Sequence, residues 1–339
     1  MKSILVVRPD NIGDLVCTTP LLSALRQRYP AAWIGALVNS YNAAVLERNP
    51  DLDEAVVYRK LKHLDAGESA LGALVAWIGS LARLRARRLD CVIIATTGFI
   101  PRTLHFARLL APRQVIGFSD GSRAARRIDL SVPLSQVGAL HEVERVFVLA
   151  AHLGIEEPIP PMCVVPDPAE LRRAATAFAS VPAKLKIAVQ ISSRRPAQRW
   201  PTERFAALIE RLHAERDAAC MLLWSPGPPD HPRHPGDDDK AEHISHLLRG
   251  KAPLIKYDAG PLQGLVGALA ACDAVVTSDG GAMHLAAALG KPIVAFFGDM
   301  PPERWRPWGV PHRVLRSASG KVADLSVDEV MSALDALLA

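Results

Sequence analysis

The sequence predicts an α/β protein made of two doubly wound domains. Apolar runs of strand length alternate with helical patterns of ten or more residues, which is typical of parallel sheets covered on both faces. This alternation starts again after residues 156–168, where five prolines indicate a stiff linker. A chain of 339 residues also exceeds what one core usually holds. We therefore expect domains at residues 1–160 and 161–339, with the last helix free to pack back on the first domain.

The first half alternates strands and helices from its first residues. Apolar runs predict strands at Ser3–Arg8, Trp33–Val38, Ala55–Tyr58, Leu89–Ala95 and Gln114–Gly117. Helical spacing predicts helices at Leu15–Tyr29, Tyr41–Glu47, Ala66–Arg88, Arg102–Leu110 and His141–Leu153. The basic stretch Arg123–Pro133 is expected to be irregular. The helix Ala66–Arg88 ends in four arginines, so it either packs on the sheet or lies on a membrane surface; packing of one apolar stripe is the commoner case.

The second half repeats the alternation. Helices are predicted at Pro168–Ala179, Thr202–Glu215, Lys240–Leu248, Pro261–Ala271 and Ser326–Leu338. Strands are predicted at Lys186–Gln190, Ala219–Trp224, Pro253–Lys256 and His312–Arg316, while Val275–Gly298 reads as strand, tight turn, short helix and strand. Between them, Ser225–Asp239 forms a long proline-rich loop, and loops of that length are usually functional or mobile.

Composition excludes several classes of protein. Hydrophobic residues make up 49% of the chain and charged residues 22%, as in globular proteins rather than disordered ones. The net charge of +5 lies mostly in residues 1–165, without the basic and aromatic interleaving of a nucleic-acid site. Five scattered cysteines without a C-x-x-C pair favour reduced thiols over zinc or disulfides. With no signal peptide and no apolar run long enough for a bilayer, we expect a cytoplasmic protein that binds no nucleic acid.

The turn Asp279-Gly280-Gly281 lies between a buried strand and a short helix. Glycines there would let the backbone turn sharply and leave the helix N-terminus open. Unpaired amides and the helix dipole attract anions such as a diphosphate, with Asp279 suited to hydroxyl groups and His284 to phosphate. The alternative is an ordinary turn, in which Asp279 caps the helix and His284 packs in the core.

A carboxylate begins the first helix. The run Arg8-Pro9-Asp10-Asn11-Ile12-Gly13-Asp14 follows strand one and lacks the glycine pattern of a dinucleotide fingerprint or a Walker A loop. Asp14 is either a helix cap or a general base that projects between the two halves.

A third polar loop, Gln190–Pro201, leaves a buried strand and enters a helix that Pro201 can start. It carries Ser192 and Ser193 together with three arginines, Arg194, Arg195 and Arg199. Hydroxyls and guanidinium groups in one loop favour phosphate binding, and a solvated basic loop is the alternative.

These segments together resemble the heptosyltransferases of glycosyltransferase family 9, over residues 3–310. The matching features are Arg8, Gly13 and Asp14 with Thr18-Thr19-Pro20; His141-x-x-Glu144; Ser192-Ser193 with Arg199-Trp200-Pro201; Asp279-x-Gly281-x-x-His284 with Ala286-Ala287-Ala288-Leu289; and Phe297-Gly298. Each motif alone is weak to moderate, and their shared order makes the resemblance specific.

The resemblance implies a GT-B fold, in which two Rossmann-like domains enclose an interdomain cleft. It implies an inverting transfer of heptose from ADP-heptose to a lipopolysaccharide inner-core acceptor, without an obligatory metal or cofactor. Asp14 would be the catalytic base. The donor and its diphosphate would be bound by Ser192, Ser193, Gln198, Arg199, Asp279, Gly280, Gly281 and His284. The acceptor side would comprise Arg8, Asn11, Gly13 and Thr97, in a protein that can touch the inner membrane surface peripherally.

One position departs from the family pattern. A lysine usually stands two residues before the tryptophan, and here that position is Gln198, so either Arg195 or Arg199 replaces the charge or the donor differs. Two alternatives therefore stay open: the same fold with another nucleotide sugar, as a hexosyltransferase or epimerase, and a non-catalytic paralogue that binds nucleotide sugars.

Overall fold

The computed structural model describes residues 1–58, 70–156, 158–230 and 236–339. The chain divides into two compact units, Met1–Cys163 and Val164–Ala339. Within the described ranges, none of the helices combines the length and the hydropathy that crossing a bilayer requires.

The first unit contains a six-stranded parallel sheet in the order β3-β2-β1-β4-β5-β6. Its strands are β1 (Ser3–Val7), β2 (Trp33–Asn39), β3 (Glu54–Tyr58), β4 (Cys91–Ile94), β5 (Gln114–Ser119) and β6 (Leu130–Pro133). The expectation that Arg123–Pro133 is irregular is wrong at its end, because β6 pairs with β5 from Ile116↔Leu130 onward. A four-residue edge strand is too short to show periodicity, and its terminal proline is tolerated because an edge needs no donor there.

The helices of the first unit are α1 (Ile12–Val16), α2 (Thr19–Arg28), α3 (Ala70–Ala86), α4 (Pro101–Leu109) and α5 (Glu142–Phe147). A 3-10 helix forms at Ala43–Leu46, where the sequence predicted the α-helix Tyr41–Glu47. Another forms at Val148–Leu153, where the sequence predicted the end of the α-helix His141–Leu153. The start of the predicted helix Ala66–Arg88, up to residue 69, lies outside the described residues.

The predicted single helix Leu15–Tyr29 is wrong, because the chain breaks between α1 and α2. Pro20 lacks the N–H that a continuous helix needs, and its ring would clash with the carbonyl one turn earlier. The side chains of Thr18 and Thr19 donate instead to the carbonyls of Asp14, at 2.8 Å, and Val16, at 2.7 Å. The break ends the first helix at Val16, two residues after Asp14.

The second unit contains another six-stranded parallel sheet, in the order β12-β11-β10-β7-β8-β9. Its strands are β7 (Leu185–Gln190), β8 (Ala218–Leu223), β9 (Leu254–Lys256), β10 (Ala274–Ser278), β11 (Ile293–Phe296) and β12 (His312–Leu315). Its helices are α6 (Pro168–Ala177), α7 (Thr202–Arg216), α8 (Asp238–Leu247), α9 (Leu262–Ala270), α10 (Gly281–Ala288), α11 (Pro302–Trp305) and α12 (Val327–Leu338). The last helix, α12, buries its apolar face in the core of the second unit, against α7 and beside β11 and β12.

The two sheets share one topology, since counting from β7 reproduces the order found from β1. In each sheet the chain moves outward on one side of the first strand and then returns to its other side. Ligands of such sheets bind at this switch point, outside the carboxyl ends of the two central strands. The switch points lie between β1 and β4 and between β7 and β10.

Candidate active site

The loop after β1 is held in place by two asparagines at the end of β2. Asn39 donates from its side-chain amide to the carbonyls of Pro9 and Asp10, both at 2.8 Å. Asn42 donates to the carbonyl of Arg8 at 3.2 Å. The loop is therefore positioned by hydrogen bonds to its own backbone, at the switch point of the first sheet.

Arg8 is fully buried and faces three carboxylates. One of its Nη atoms lies 3.1 Å from Asp14 and 2.6 Å from Glu142, and its Nε lies 3.4 Å from Asp10. Arg145 approaches the second oxygen of Glu142 at 3.9 Å. A charge taken out of water is stable only when paired, so these groups depend on one another. We call Arg8, Asp10, Asp14 and Glu142 the Arg8 cluster.

Asp14 takes the capping position that the sequence offered as one alternative, and its side chain is only 5% exposed. Its Oδ1 accepts from Arg8, and its Oδ2 accepts from the backbone and side-chain nitrogens of Asn11, both at 2.9 Å. A carboxylate at the third position of a helix readily bonds the residue before the first turn. The structure therefore brings Arg8, Asn11 and Asp14 together and encloses the last, while Gly13 is buried within α1.

Asp10 is the more open carboxylate of the Arg8 cluster, with 16% of its side chain exposed. Burial raises its pKa; Arg8 opposes that effect, the neighbouring Asp14 adds to it, and a hydrogen bond from the Thr97 backbone opposes it. Sequence reasoning missed Asp10 and Glu142. Asp10 could have been found from the sequence, because it is a second carboxylate in the loop that leads to Asp14. No local pattern connects Glu142 to Arg8.

Thr97 joins this site through its backbone. Its N–H reaches the Asp10 carboxylate, and its carbonyl accepts from the guanidinium of Arg145. The motif His141-x-x-Glu144 instead caps α5: the Nδ1 of His141 accepts from Val143, and the carboxylate of Glu144 accepts from the His141 backbone at 2.9 Å. That motif starts the helix that carries Glu142 and Arg145.

In the second unit, the loop after β7 is anchored at both ends. Lys240, in the first turn of α8, donates from Nζ to the carbonyls of Ile191 and Trp200, each at 3.0 Å. Trp200 is buried, and its indole N–H donates to the carbonyl of Leu325 at 2.9 Å. Burial lowers the pKa of Lys240 to about 8, with Asp237, Arg199 and Glu203 as the neighbouring charges. Sequence reasoning missed Lys240, since it follows a separate loop.

Gln198 joins this loop to the loop after β10. It is 2% exposed, and its side-chain amide donates to the Oδ2 of Asp279 at 2.9 Å and accepts from the hydroxyl of Ser193 at 3.2 Å. The hydroxyl of Ser278 donates to the backbone carbonyl of Gln198 at 2.7 Å. Gln198 therefore forms a neutral bridge between the loops after β7 and β10.

The remaining polar groups of the loop lie at its surface. Arg199 is exposed and is held by one hydrogen bond, from Nε to the carbonyl of Ser193 at 2.9 Å. Arg195 lies 3.5 Å from Asp299, and Ser192 accepts from the backbone of Ser225 at 2.8 Å. Arg199 is thus better placed than Arg195 to supply a charge to the loop.

The turn before α10 differs from its expected geometry. Gly280 has φ 161° and ψ −174°, an extended backbone that any residue adopts, so a sharp glycine-dependent turn is not what forms here. A Cβ added to Gly280 would meet no atom within 4 Å. The glycine therefore leaves open space at the first residues of α10, beside Asp279.

His284 lies beneath this turn rather than in it. It is 2% exposed, and its ring contacts Trp305 edge to face at 5.9 Å between centroids. Gly298, after β11, is tightly packed: an added Cβ would lie 2.5 Å from the carbonyl oxygen of Ala197. That glycine lets the Gln198 loop approach the neighbouring strand end.

The long loop Ser225–Asp239 is closed at its base. The backbone N–H groups of Gly236 and Asp237 donate to the carbonyls of Pro228 and Ser225, both at 2.9 Å, and the Trp224 indole donates to Asp238 at 2.7 Å. Residues 231–235, including Pro232 and Pro235, lie outside the described residues.

Two doubly wound domains, each with a polar loop at its switch point, are an architecture common among α/β enzymes. Residues 79–334 match glycosyltransferase family 9 (heptosyltransferase), which is more than half of the chain. The protein belongs to this family and is a glycosyltransferase.

Curated relatives extend over nearly the whole chain. Lipopolysaccharide heptosyltransferase 2 of Escherichia coli K12 is 26% identical over 364 residues, covering 99% of this chain and 98% of its own length. Lipooligosaccharide heptosyltransferase 2 of Haemophilus ducreyi is 25% identical and covers 99% of both chains.

Solved structures share the fold. A family 9 glycosyl transferase from Veillonella parvula has a TM-score of 0.82 at 21% identity, covering 99% of this chain and 97% of its own. The ADP-heptose LPS heptosyltransferase II of E. coli has a TM-score of 0.77 at 24% identity, covering 100% and 98%. The predicted fold class, GT-B with two Rossmann-like domains, is confirmed.

Proposed function

We propose that this protein transfers heptose from ADP-heptose to an inner-core sugar of lipopolysaccharide, with inversion at the anomeric carbon. The observation that carries the donor side is the open space over Gly280, at the N-terminus of α10 and beside Asp279. The names of the relatives support heptose and lipopolysaccharide as substrates. A solved neighbour, the E. coli heptosyltransferase WaaC, is described with ADP and with a fluorinated ADP-heptose.

The second unit would bind the donor. Amides at the start of α10 and the guanidinium of Arg199 would stabilise the diphosphate, whose negative charge grows as the sugar bond breaks. Ser192 keeps a hydroxyl hydrogen to donate, because its oxygen serves as acceptor for Ser225. Asp279, which accepts from Gln198, would also accept from heptose hydroxyls. His284 is a buried residue of α10 itself, so it would act on the phosphates only through the position of that helix.

The first unit would bind the acceptor and supply the base. The acceptor hydroxyl attacks the anomeric carbon of heptose, the bond to the ADP oxygen breaks, and Asp14 takes the proton of the hydroxyl. Arg8 and Asn11 hold the Asp14 carboxylate in one orientation. The hydroxyl must come within hydrogen-bond distance of that carboxylate in the reacting complex, a contact that free enzymes often lack.

The test is release of ADP from ADP-heptose by the purified protein, with de-O-acylated, heptose-free core oligosaccharide as acceptor. We expect turnover that EDTA leaves unchanged, since the proposed chemistry uses no obligatory metal. Asp14→Asn should lower kcat roughly 10²–10⁴-fold, because a general base is lost, while ADP affinity stays constant. Undiminished turnover of a folded Asp14→Asn variant removes Asp14 from the base role.

A panel of nucleotide sugars separates the alternatives. The true donor should raise the thermal midpoint most, because only a ligand of the native state stabilises it. A larger shift with a UDP-sugar than with ADP-heptose points to another hexosyltransferase or an epimerase. A shift with ADP-heptose but no turnover with any acceptor points to a binding paralogue. In the proposed role the protein works in the cytoplasm, where the lipid-linked acceptor is presented at the inner membrane surface.

A further inference from the structure

Helix α3 is apolar on two opposite faces. Its inward face packs on the core of the first unit through Trp77, Leu81 and Leu84. On its outward face, Val75 and Ile78 are 60% and 55% exposed, more than any other large apolar side chain among the described residues. A helix that is apolar all round is normally covered on all sides. The outward face of α3 is therefore a surface that calls for a partner.

The exposed apolar residues of α3 form one stripe. Spacings of three and four residues place side chains on the same side of a helix. The period of the helix also places Arg83 on one side of this stripe and Arg85 on the other, and both arginines are exposed. We call the α3 stripe the four exposed residues that share this spacing, Val75, Ile78, Gly79 and Ala82.

Helix α4 continues this surface. It lies beside α3, since the guanidinium of Arg85 donates to the carbonyl of Leu109 at 2.5 Å. Leu109 is itself 49% exposed. Arg102 and His105 are exposed too, and their spacing places them on the same side of α4 as Leu109. The two helices therefore present apolar and basic side chains to the same side of the unit.

The charges on these two helices have one sign. Neither α3 nor α4 contains an Asp or a Glu. Arg83 pairs with Glu54 of β3 at 2.6 Å, whereas no carboxylate among the described residues pairs with Arg85 or Arg102. On the surface of α7 and α12 in the second unit, by contrast, arginines pair with carboxylates of the neighbouring helix. The surface of α3 and α4 therefore attracts an anionic partner.

The chemistry of this surface favours a bilayer over a protein. A helix that lies in the interface of a membrane combines an apolar stripe with basic residues beside it. Protein interfaces are instead enriched in exposed aromatic residues, and the aromatic side chain of α3, Trp77, packs inward. A second copy of this chain would bring arginine against arginine, because a two-fold interface joins a patch to itself.

The α3 stripe begins near the polar loop of the first unit. All strands of the sheet are parallel, so β3 ends at the edge where the loop after β1 also lies. Tyr58, the last residue of β3, contacts Trp77 at 4.8 Å between ring centroids. The first turns of the stripe therefore lie at this edge, and a surface bound there lies close to the loop that carries Asp14.

We propose that the α3 stripe, together with Leu109, docks this protein on a bilayer surface rich in anionic headgroups. The apolar side chains enter the boundary between headgroups and acyl chains, and Arg85 and Arg102 pair with lipid phosphates. Docking requires neither the donor nor the sugar acceptor, so the proposal goes beyond the function proposed above.

The first test is sedimentation of the full-length protein with vesicles of phosphatidylglycerol and phosphatidylethanolamine in equal amounts, compared with vesicles of phosphatidylcholine. We expect binding to the anionic vesicles that weakens as salt rises, and little binding to phosphatidylcholine. Ile78→Glu should weaken binding about tenfold, because a buried apolar contact with the lipid is lost. Arg85→Gln should weaken it about fivefold, the loss expected for one positive charge near an anionic surface.

Two variants in the second unit are the matched controls. Leu338→Glu changes an exposed apolar residue of α12, and Arg172→Gln changes an exposed arginine of α6. Both should bind the vesicles like wild type. Circular dichroism shows that the variants are folded, as expected for substitutions at exposed positions. Equal binding of wild type and Ile78→Glu would overturn the proposal, and so would equal binding to the two kinds of vesicle.

The mass of the protein in solution tests for a second copy on the same surface. Wild type and Ile78→Glu should have the same mass by size-exclusion chromatography with light scattering. A wild-type dimer that Ile78→Glu converts to a monomer would assign the α3 stripe to self-association and refute docking on lipid.

Turnover separates docking from chemistry. With the water-soluble, de-O-acylated acceptor, Ile78→Glu should turn over ADP-heptose at the rate of wild type. Loss of that turnover in the folded variant would place the stripe in the active site and contradict the proposal. Vesicle binding by a wild-type protein that never turns over ADP-heptose would remove the proposed function and leave the docking surface intact.

Discussion

The loops after β1 and after β7 occupy the same position in two sheets of the same topology, yet they differ in charge. The first loop closes around the buried Arg8 with three carboxylates. The second closes through the neutral Gln198 and is anchored by the cation of Lys240, next to an open helix N-terminus. Topology therefore determines where each site lies, and the side chains determine what it binds.

This difference is the basis on which we propose a different ligand for each unit. The excess of carboxylates around Arg8 favours a partner rich in hydroxyls at that loop. Arg199 and the amides of α10 favour an anion in the second unit.

Removing Arg8, the guanidinium that all three carboxylates of the Arg8 cluster share, should have the largest effect. Arg8→Met leaves Asp14 and Glu142 buried without this partner, which should lower the free energy of unfolding by about 3–5 kcal/mol. Urea denaturation followed by circular dichroism measures it. Arg199→Met, at the exposed arginine of the second loop, is the matched control and should change stability by less than about 0.5 kcal/mol. Similar losses of unfolding free energy in the two variants would contradict the proposed difference between the two loops.

Lys240 should make stability depend on pH above neutrality. The folded chain loses the Lys240 proton near pH 8 and the unfolded chain near 10.5. Between these values the unfolded state binds more protons, so the contribution of Lys240 to stability rises with pH, by up to about 3 kcal/mol. The measurement is the unfolding free energy of wild type minus that of Lys240→Arg, from pH 7 to pH 10. Arginine stays protonated throughout, so a difference that does not change with pH contradicts the prediction.

Replacing Gly280 should weaken donor binding without changing the stability of the fold. Its backbone accepts an alanine and the added Cβ meets no atom, so Gly280→Ala should keep the thermal midpoint of wild type. The methyl group would occupy the proposed diphosphate position and weaken ADP binding about tenfold, or about 1.4 kcal/mol. Gly79→Ala, where the added Cβ also meets nothing, is the matched control. Unchanged ADP affinity in Gly280→Ala would place the diphosphate elsewhere.

Gln198→Lys should have the smallest effect, an increase in ADP affinity of a few-fold. The lysine adds a positive charge beside Asp279 and the proposed diphosphate, and partial neutralisation by Asp279 limits the gain to about 0.5–1 kcal/mol. Calorimetric titration with ADP at two salt concentrations checks it, because the gain should shrink as salt rises. Weaker ADP binding by the lysine variant would mean that the neutral bridge itself shapes the donor site.

Much of the fold was predictable, because the hydrophobic periodicity of strands and helices can be recognised within short windows of sequence. The failures have identifiable physical causes. Pro20 broke a helix whose apolar spacing was continuous, and the edge strand β6 was too short to show a period. Gly280 was expected to be needed for a turn, whereas its backbone is extended.

The candidate site was predictable in position rather than in detail. Polar loops after apolar strands indicated both switch points, and Arg8, Asn11 and Asp14 do meet. The enclosure of Asp14, the core position of His284 and the partial burial of Asp10 depended on neighbours that a local pattern does not contain.

The sequence by itself determined the two-domain α/β class and the loops that carry chemistry, since periodicity and turn residues act over a few positions. Only the tertiary structure decided which charges are paired. Arg8 meets Glu142 across 134 residues, Gln198 meets Asp279 across 81, and Lys240 reaches Ile191 across 49. Burial makes such pairings obligatory, and packing selects the partners.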